Sequence, residues 1–130
     1  MARNGLFRGK FASVVAQHEA AHVAFLKGAL GSAAVAKPKF DFKGTTTNKA
    51  KFLATAQVLE DTGVAAYLGQ AGAIKNKEVL GAALSIHSVE ARHASALNQL
   101  LGKSNTPDGA FGKPADMATV LAAVKPFLVA

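Results

Sequence analysis

Cysteine is absent from the 130 residues, so the chain has no disulfide framework, no thiolate nucleophile and no sulfur ligand for a metal. Acidic residues are scarce, eight against fifteen lysines and arginines. No apolar run approaches the ~20 residues of a bilayer span. The opening MARNGLFRGKFASVV lacks the continuous apolar stretch and small-residue cleavage site of a secretory signal. The chain therefore reads as soluble, with no membrane partner, and its compartment stays open. No phosphate loop, nucleophile elbow or zinc signature occurs, which argues against hydrolytic and nucleotide-dependent enzymes.

Half the residues are apolar, enough for one domain with a real core over residues 1–130. The formal charge is +7. Because Lys37, Lys39, Lys43, Lys49 and Lys51 gather around one loop, the excess reads as a solvated basic surface, and no nucleic-acid partner is expected.

The periodicity is helical throughout. Ala12, Val15, Val23, Leu26 and Leu30 share one side of a helix over about 6–30, closed by Gly31 and Ser32. SAAVAKPKFDFKGTTTN, with Pro38 and Gly44, is a long extended connection ending at Asn48, a good N-cap. A second helix over about 49–70 turns Leu53, Ala56, Val64 and Tyr67 inward. After the break AGAIKNK, a third over about 77–101 does the same with Val79, Ala83, Ile86, Ala94, Leu97 and Leu101, and Gly102 is its C-cap. The tail from residue 103 is loop, then a short helix MATVLAAVK disrupted by Pro126. No strand pattern competes with an all-α bundle of three long helices and a short C-terminal one.

Against this pattern the acidic residues are misplaced. At about 100° per residue, Glu19, Glu60 and Glu90 fall in the centres of the three apolar stripes. Only Glu78, in the first turn of its helix, has the ordinary explanation of the macrodipole. A buried carboxylate must be paired, protonated or bound to a cation. If the second and third helices form a hairpin turning near Ile74 and Lys75, Glu60 and Glu90 each lie about 15 residues from the turn and meet ~22 Å along the bundle. His22 and His93 follow Glu19 and Glu90 at i+3 and address the same space. Two Glu-x-x-His helices with a third glutamate helix form the inward ligand set of a di-iron or di-manganese four-helix bundle. His87, on the shoulder of the Glu90 stripe, is either a supporting hydrogen-bond donor or a boundary residue.

The segments VVAQHEAAHVAFLKGALG, FDF, FLATAQVLEDTGVAAYLGQAGAI and VLGAALSIHSVEARHASALNQLLG, in that order, resemble the ferritin-like domain of fungal stress-response and plant desiccation-related proteins. The resemblance covers about residues 6–102, and LAAVKPFL is similar to that family's C-terminal segment. It implies a ferritin-like bundle with Glu19, His22, Glu60, Glu90 and His93 at the metal-ligand positions, and two iron or manganese ions as cofactors. It also implies relatives that are often secreted. The family's first bundle helix, with a further glutamate, has no counterpart before Glu19, so a truncated four-helix bundle with five of six ligands is expected. The chain is then a fragment, or a homo-oligomer partner or the C-terminal helix fills the groove, or the site has degenerated.

Two functions follow. One is a dinuclear metal protein with oxidase, peroxidase or iron-handling chemistry. The other is a metal-free helical interaction protein whose inward glutamates are relics.

Overall fold

The computed structural model describes residues 2–130, with side chains from residue 9 onward. The chain forms two compact units, one ending at Ala36 and one running from Lys37 to Ala130.

The first unit is a single long helix, α1 (Ala2–Leu30), and a 3-10 turn, Gly31–Ala33. Gly31 adopts φ 54°, the left-handed conformation that ends a helix without a Cβ clash. Of the side chains expected inward, Ala12, Val15 and Leu26 are partly covered, whereas Val23 and Leu30 are 51% and 52% exposed. Nothing else within this unit exists to cover a second flank of the helix. Val14 and Phe25 are also exposed. At about 100° per residue they lie roughly opposite Val23 and Leu30, so α1 shows apolar side chains on two sides.

The second unit is built on a hairpin of α2 (Lys49–Ala71) and α3 (Lys77–Leu100). Its ends are set by side chains. Asn48 accepts from the Lys51 N–H, and Asn76 accepts from the N–H groups of both Glu78 and Val79, so each satisfies donors that the first turn leaves open. At the far end of α3, Gly102 at φ 69° lets the Lys103 N–H reach the Asn98 carbonyl at 2.8 Å and its own N–H reach that of Gln99 at 3.1 Å. This is the Schellman arrangement, and it requires the left-handed glycine. The core lies along α3, where Ala83, Ile86, Ala94 and Leu97 are buried, and Leu53 meets it from α2. The helices predicted over 49–70 and 77–101 are therefore found within a residue at each end.

The tail is ordered against α2. The Ala115 N–H donates to the Ala65 carbonyl at 2.9 Å. Gly69 makes the approach possible, because a Cβ there would collide with the Ala115 carbonyl oxygen. Lys103 donates to Gln57 at 3.0 Å, and Gln57, buried on α2, donates in turn to Asp61. Asp116 then caps α4 (Met117–Val124), which ends before a 3-10 turn containing Pro126.

One departure from the expected all-helical pattern is a two-residue antiparallel pair, β1 (Lys39–Phe40) with β2 (Leu128–Val129). It is short and sits where the FDF segment meets the C-terminus. Phe42 lies between Phe40 and Phe127, with ring centroids 5.8 and 5.7 Å away, and the Asp41 N–H donates to the Phe127 carbonyl. The Asp41 carboxylate accepts from the Lys43 N–H and pairs with its ammonium, which holds its carboxyl below the usual range and supports Lys43 at φ 52°. The fold class is all-α. Among the described residues, no helix is long and apolar enough to cross a membrane.

Candidate metal centre

The hairpin sets the geometry of the site. With the α2–α3 connection at residues 72–76, Glu60 and Glu90 are nearly equidistant from the turn, so the fixed rise of the helix brings them to one level. His93, one turn beyond Glu90 on the same side of α3, lies between them. Its Nδ1 is 3.2 Å from Glu60 Oε2 and 3.3 Å from Glu90 Oε2. Glu90 and His93 are each 5% exposed.

The three groups offer two carboxylates and one imidazole with donor atoms within 4.8 Å of one another. Two ligands on opposite sides of one ion, at bonds of ~2.1 Å, stand up to ~4.2 Å apart, and the 3.2 and 3.3 Å separations of the His93 nitrogen from the two carboxylates fall within that span. With both carboxylates ionised, these three groups carry a net negative charge even if the imidazole is protonated. A site rich in oxygen with borderline nitrogen suits iron or manganese better than a soft, thiophilic ion.

In the first unit, the members of the second Glu-x-x-His pair stand beside one another. His22 Nδ1 lies 3.5 Å from Glu19 Oε1, the i, i+3 contact that helix geometry dictates. Three of the five sequence-predicted residues, Glu60, Glu90 and His93, thus meet within one unit, and Glu19 and His22 meet within the other.

Two polar residues near the site were not singled out by periodicity. Gln57, a turn before Glu60, is buried and links Lys103 to Asp61. Burial pushes the Asp61 carboxyl above its ordinary value, and the nearby Asp108 adds to this, against the Gln57 hydrogen bond and Lys103. Asn98 is 1% exposed, two turns beyond Glu90 on α3. Both look like ordinary surface amides in a helical pattern; only their place at the α2–α3 contact, readable from the 3.6-residue period, marks them.

No curated protein and no solved structure matches the chain. The family model described as a ferritin-like domain matches residues 7–103, which include both Glu-x-x-His pairs and Glu60. With three long α-helices in that span and a Glu/His cluster on the α2–α3 hairpin, the chain belongs to the ferritin-like domain family.

Proposed function

We propose that the protein holds a dinuclear iron or manganese centre, with Glu19, His22, Glu60, Glu90 and His93 as its ligands. The observation that carries this reading is the buried triad of Glu60, Glu90 and His93, in which one imidazole nitrogen faces two carboxylates. The repeat of the same Glu-x-x-His spacing in α1, inside the span of the family match, supports the inclusion of Glu19 and His22.

Bound there, either metal supplies one-electron redox chemistry toward dioxygen or peroxide, the basis of an oxidase, peroxidase or iron-handling activity. The protein's own contribution is electrostatic and positional. Glu60 and Glu90 supply negative charge in a region shielded from water, where its attraction for a cation is least screened. His93 is held in register by both carboxylates. It ligates through Nδ1 only as the lone-pair nitrogen, so a proton carried there has to move to Nε2 or leave before the metal binds.

The finer family placement, with fungal stress-response and plant desiccation-related proteins, rests on the quoted segments and belongs to the same proposal. So does a partner. The apolar side chains on two sides of α1 are suited to a second copy of the chain or a further helix, which would also bring the sixth ligand.

Metal analysis of protein purified without chelator tests the reading. Two ions per chain, lost in Glu60→Ala, support it. No bound metal, and melting unchanged by added iron or manganese, would leave a metal-free interaction protein as the better account.

A further inference from the structure

The ribbon of β1 and β2 shows apolar side chains to its surroundings. Phe40, Phe42, Leu128 and Val129 are between 38% and 47% exposed, and all four belong to the second unit. They form one group, since Phe40 is paired with Leu128 across the ribbon and Lys39 with Val129. Exposed apolar residues standing singly are ordinary, whereas a contiguous group of them marks a contact surface.

Lysines border this group on both strands. Lys37 precedes β1, Lys39 lies within it, Lys43 follows it and Lys125 leads toward β2; all four are exposed. The only acidic side chain in these two stretches is Asp41, which is engaged by Lys43 at 3.3 Å. Lys37, Lys39 and Lys125 therefore stand without an acidic side-chain partner among the described residues. Three uncompensated cations around an apolar patch are complementary to a surface that is anionic and apolar at once.

Ring geometry separates the two polyanions that a chain of charge +7 would attract. Single-stranded nucleic acid stacks its bases on open aromatic faces. Here the rings stack on one another: Phe40 and Phe42 are 10° from parallel with centroids 5.8 Å apart, and Phe127 stands 5.7 Å from Phe42. Rings used in this way present edges more than faces, and the aliphatic Leu128 and Val129 have no face to offer. Such groups suit the boundary between headgroups and acyl chains, while lysine stems are long enough to keep their ammonium groups at the level of lipid phosphates and carboxylates. No membrane-spanning helix is needed for a patch that lies at headgroup depth. We propose that the β1–β2 ribbon docks on anionic lipid bilayers, with Phe40, Phe42, Leu128 and Val129 entering the interface and Lys37, Lys39 and Lys125 facing acidic headgroups. This site does not depend on the metal reading.

The experiment is co-sedimentation of the full chain with large unilamellar vesicles of phosphatidylcholine containing roughly 30% phosphatidylserine. The chain should bind these vesicles at least about tenfold more tightly than vesicles of phosphatidylcholine alone, and about 0.5 M salt should release it. Each lysine beside such a surface strengthens binding about fivefold, so Lys39→Gln should weaken it by about that factor. Lys75→Gln, in the α2–α3 connection, removes the same charge from outside the ribbon and should change binding by less than about twofold. The pair Phe40→Ser and Leu128→Ser removes apolar area without altering charge and should weaken binding by at least about tenfold. If that pair fails to fold, Lys39→Gln against Lys75→Gln carries the test, because both are changes at exposed positions. Failure of the parent chain to co-sediment with the acidic vesicles would overturn the proposal. So would equal losses in Lys39→Gln and Lys75→Gln, or full binding by a folded serine pair, since either would reduce the effect to general charge. Tighter binding to a single-stranded oligothymidylate, weakened by the same serine pair, would also overturn it and assign the patch to nucleic acid.

Discussion

The same four-residue spacing, Glu-x-x-His, occurs once in α1 and once in α3, and the two copies meet different surroundings. In α3 the Glu90 side chain is 6% exposed and His93 reaches a second carboxylate, Glu60, across the hairpin. In α1 the Glu19 side chain is 43% exposed, with the His22 ring beside it at i+3. Spacing alone supplies an i, i+3 pair. A site needs a partner helix at the right level, and within the second unit the hairpin provides one for the α3 copy.

The largest effect expected from breaking this comparison is at the shared imidazole. His93→Ala removes the group between two carboxylates at a buried position, and breaking a buried charged network typically costs about 3–5 kcal/mol. His22→Ala removes the i+3 neighbour of a carboxylate that is 43% exposed, and should cost less than His93→Ala. Urea denaturation of the two metal-free variants measures both. Equal losses would mean that the two copies are energetically alike and that the cross-hairpin contact contributes nothing of its own.

How much of this was readable from sequence differs between the same two regions. The level match of Glu60 and Glu90 follows from helix rise and hairpin length alone, so their convergence could be anticipated from residue counting. Gly102 and Asn48 were legible because caps demand particular residues. The exposure of Val23 and Leu30 was not legible, since periodicity identifies an apolar side but not whether anything covers it. Nor was the β1–β2 pair, in which Lys39 meets Val129: two-residue strands carry no period, and nothing local encodes contacts between segments so far apart in the chain. The tail 103–116 reads as loop because of its prolines and glycines. Its order comes from long-range contacts at Ala65, Gly69 and Gln57, each invisible until α2 is in place.

Metal should separate the two copies a second time. At a hundredfold excess over Kd, a bound ion stabilises the fold by ~2.7 kcal/mol through mass action. Glu60→Ala should abolish that increment and, because it removes one of the two carboxylates that face His93, lower the metal-free melting temperature as well. Differential scanning calorimetry with and without manganese reads both. A full metal response in Glu60→Ala would remove Glu60 from the centre.

Gly69→Ala tests whether the tail is a built part of the hairpin unit. The added methyl meets the Ala115 carbonyl, which must move away and give up its neighbouring hydrogen bond to Ala65. Overpacking of this kind costs about 1–3 kcal/mol. Hydrogen exchange at the Ala115 amide should accelerate by more than that of the α3 core amides near Leu97, which follow the global loss. Unchanged protection at Ala115 would show that the glycine is incidental.

The smallest effect concerns a carboxylate placed between the extremes of Glu90 and Glu19. Asp61 is partly buried, and burial raises its carboxyl above the ordinary value of 3.8, with Gln57 and Lys103 opposing the rise. A carboxyl that binds its proton more readily in the folded chain makes folding less favourable wherever it is ionised, so its cost is present at neutral pH and fades as pH falls through its folded value. Asp61→Asn should therefore be slightly more stable than the parent near pH 7, by no more than about 0.5 kcal/mol given the partial exposure. The difference should shrink toward zero as pH drops to about 4, close to the unfolded carboxyl value. Thermal melts of both chains across that range, in chelator, provide the comparison. A parent that is the more stable at neutral pH, with an advantage that disappears on acidification, would show that the ionised carboxylate is held by its hydrogen bond to Gln57 more strongly than burial opposes it.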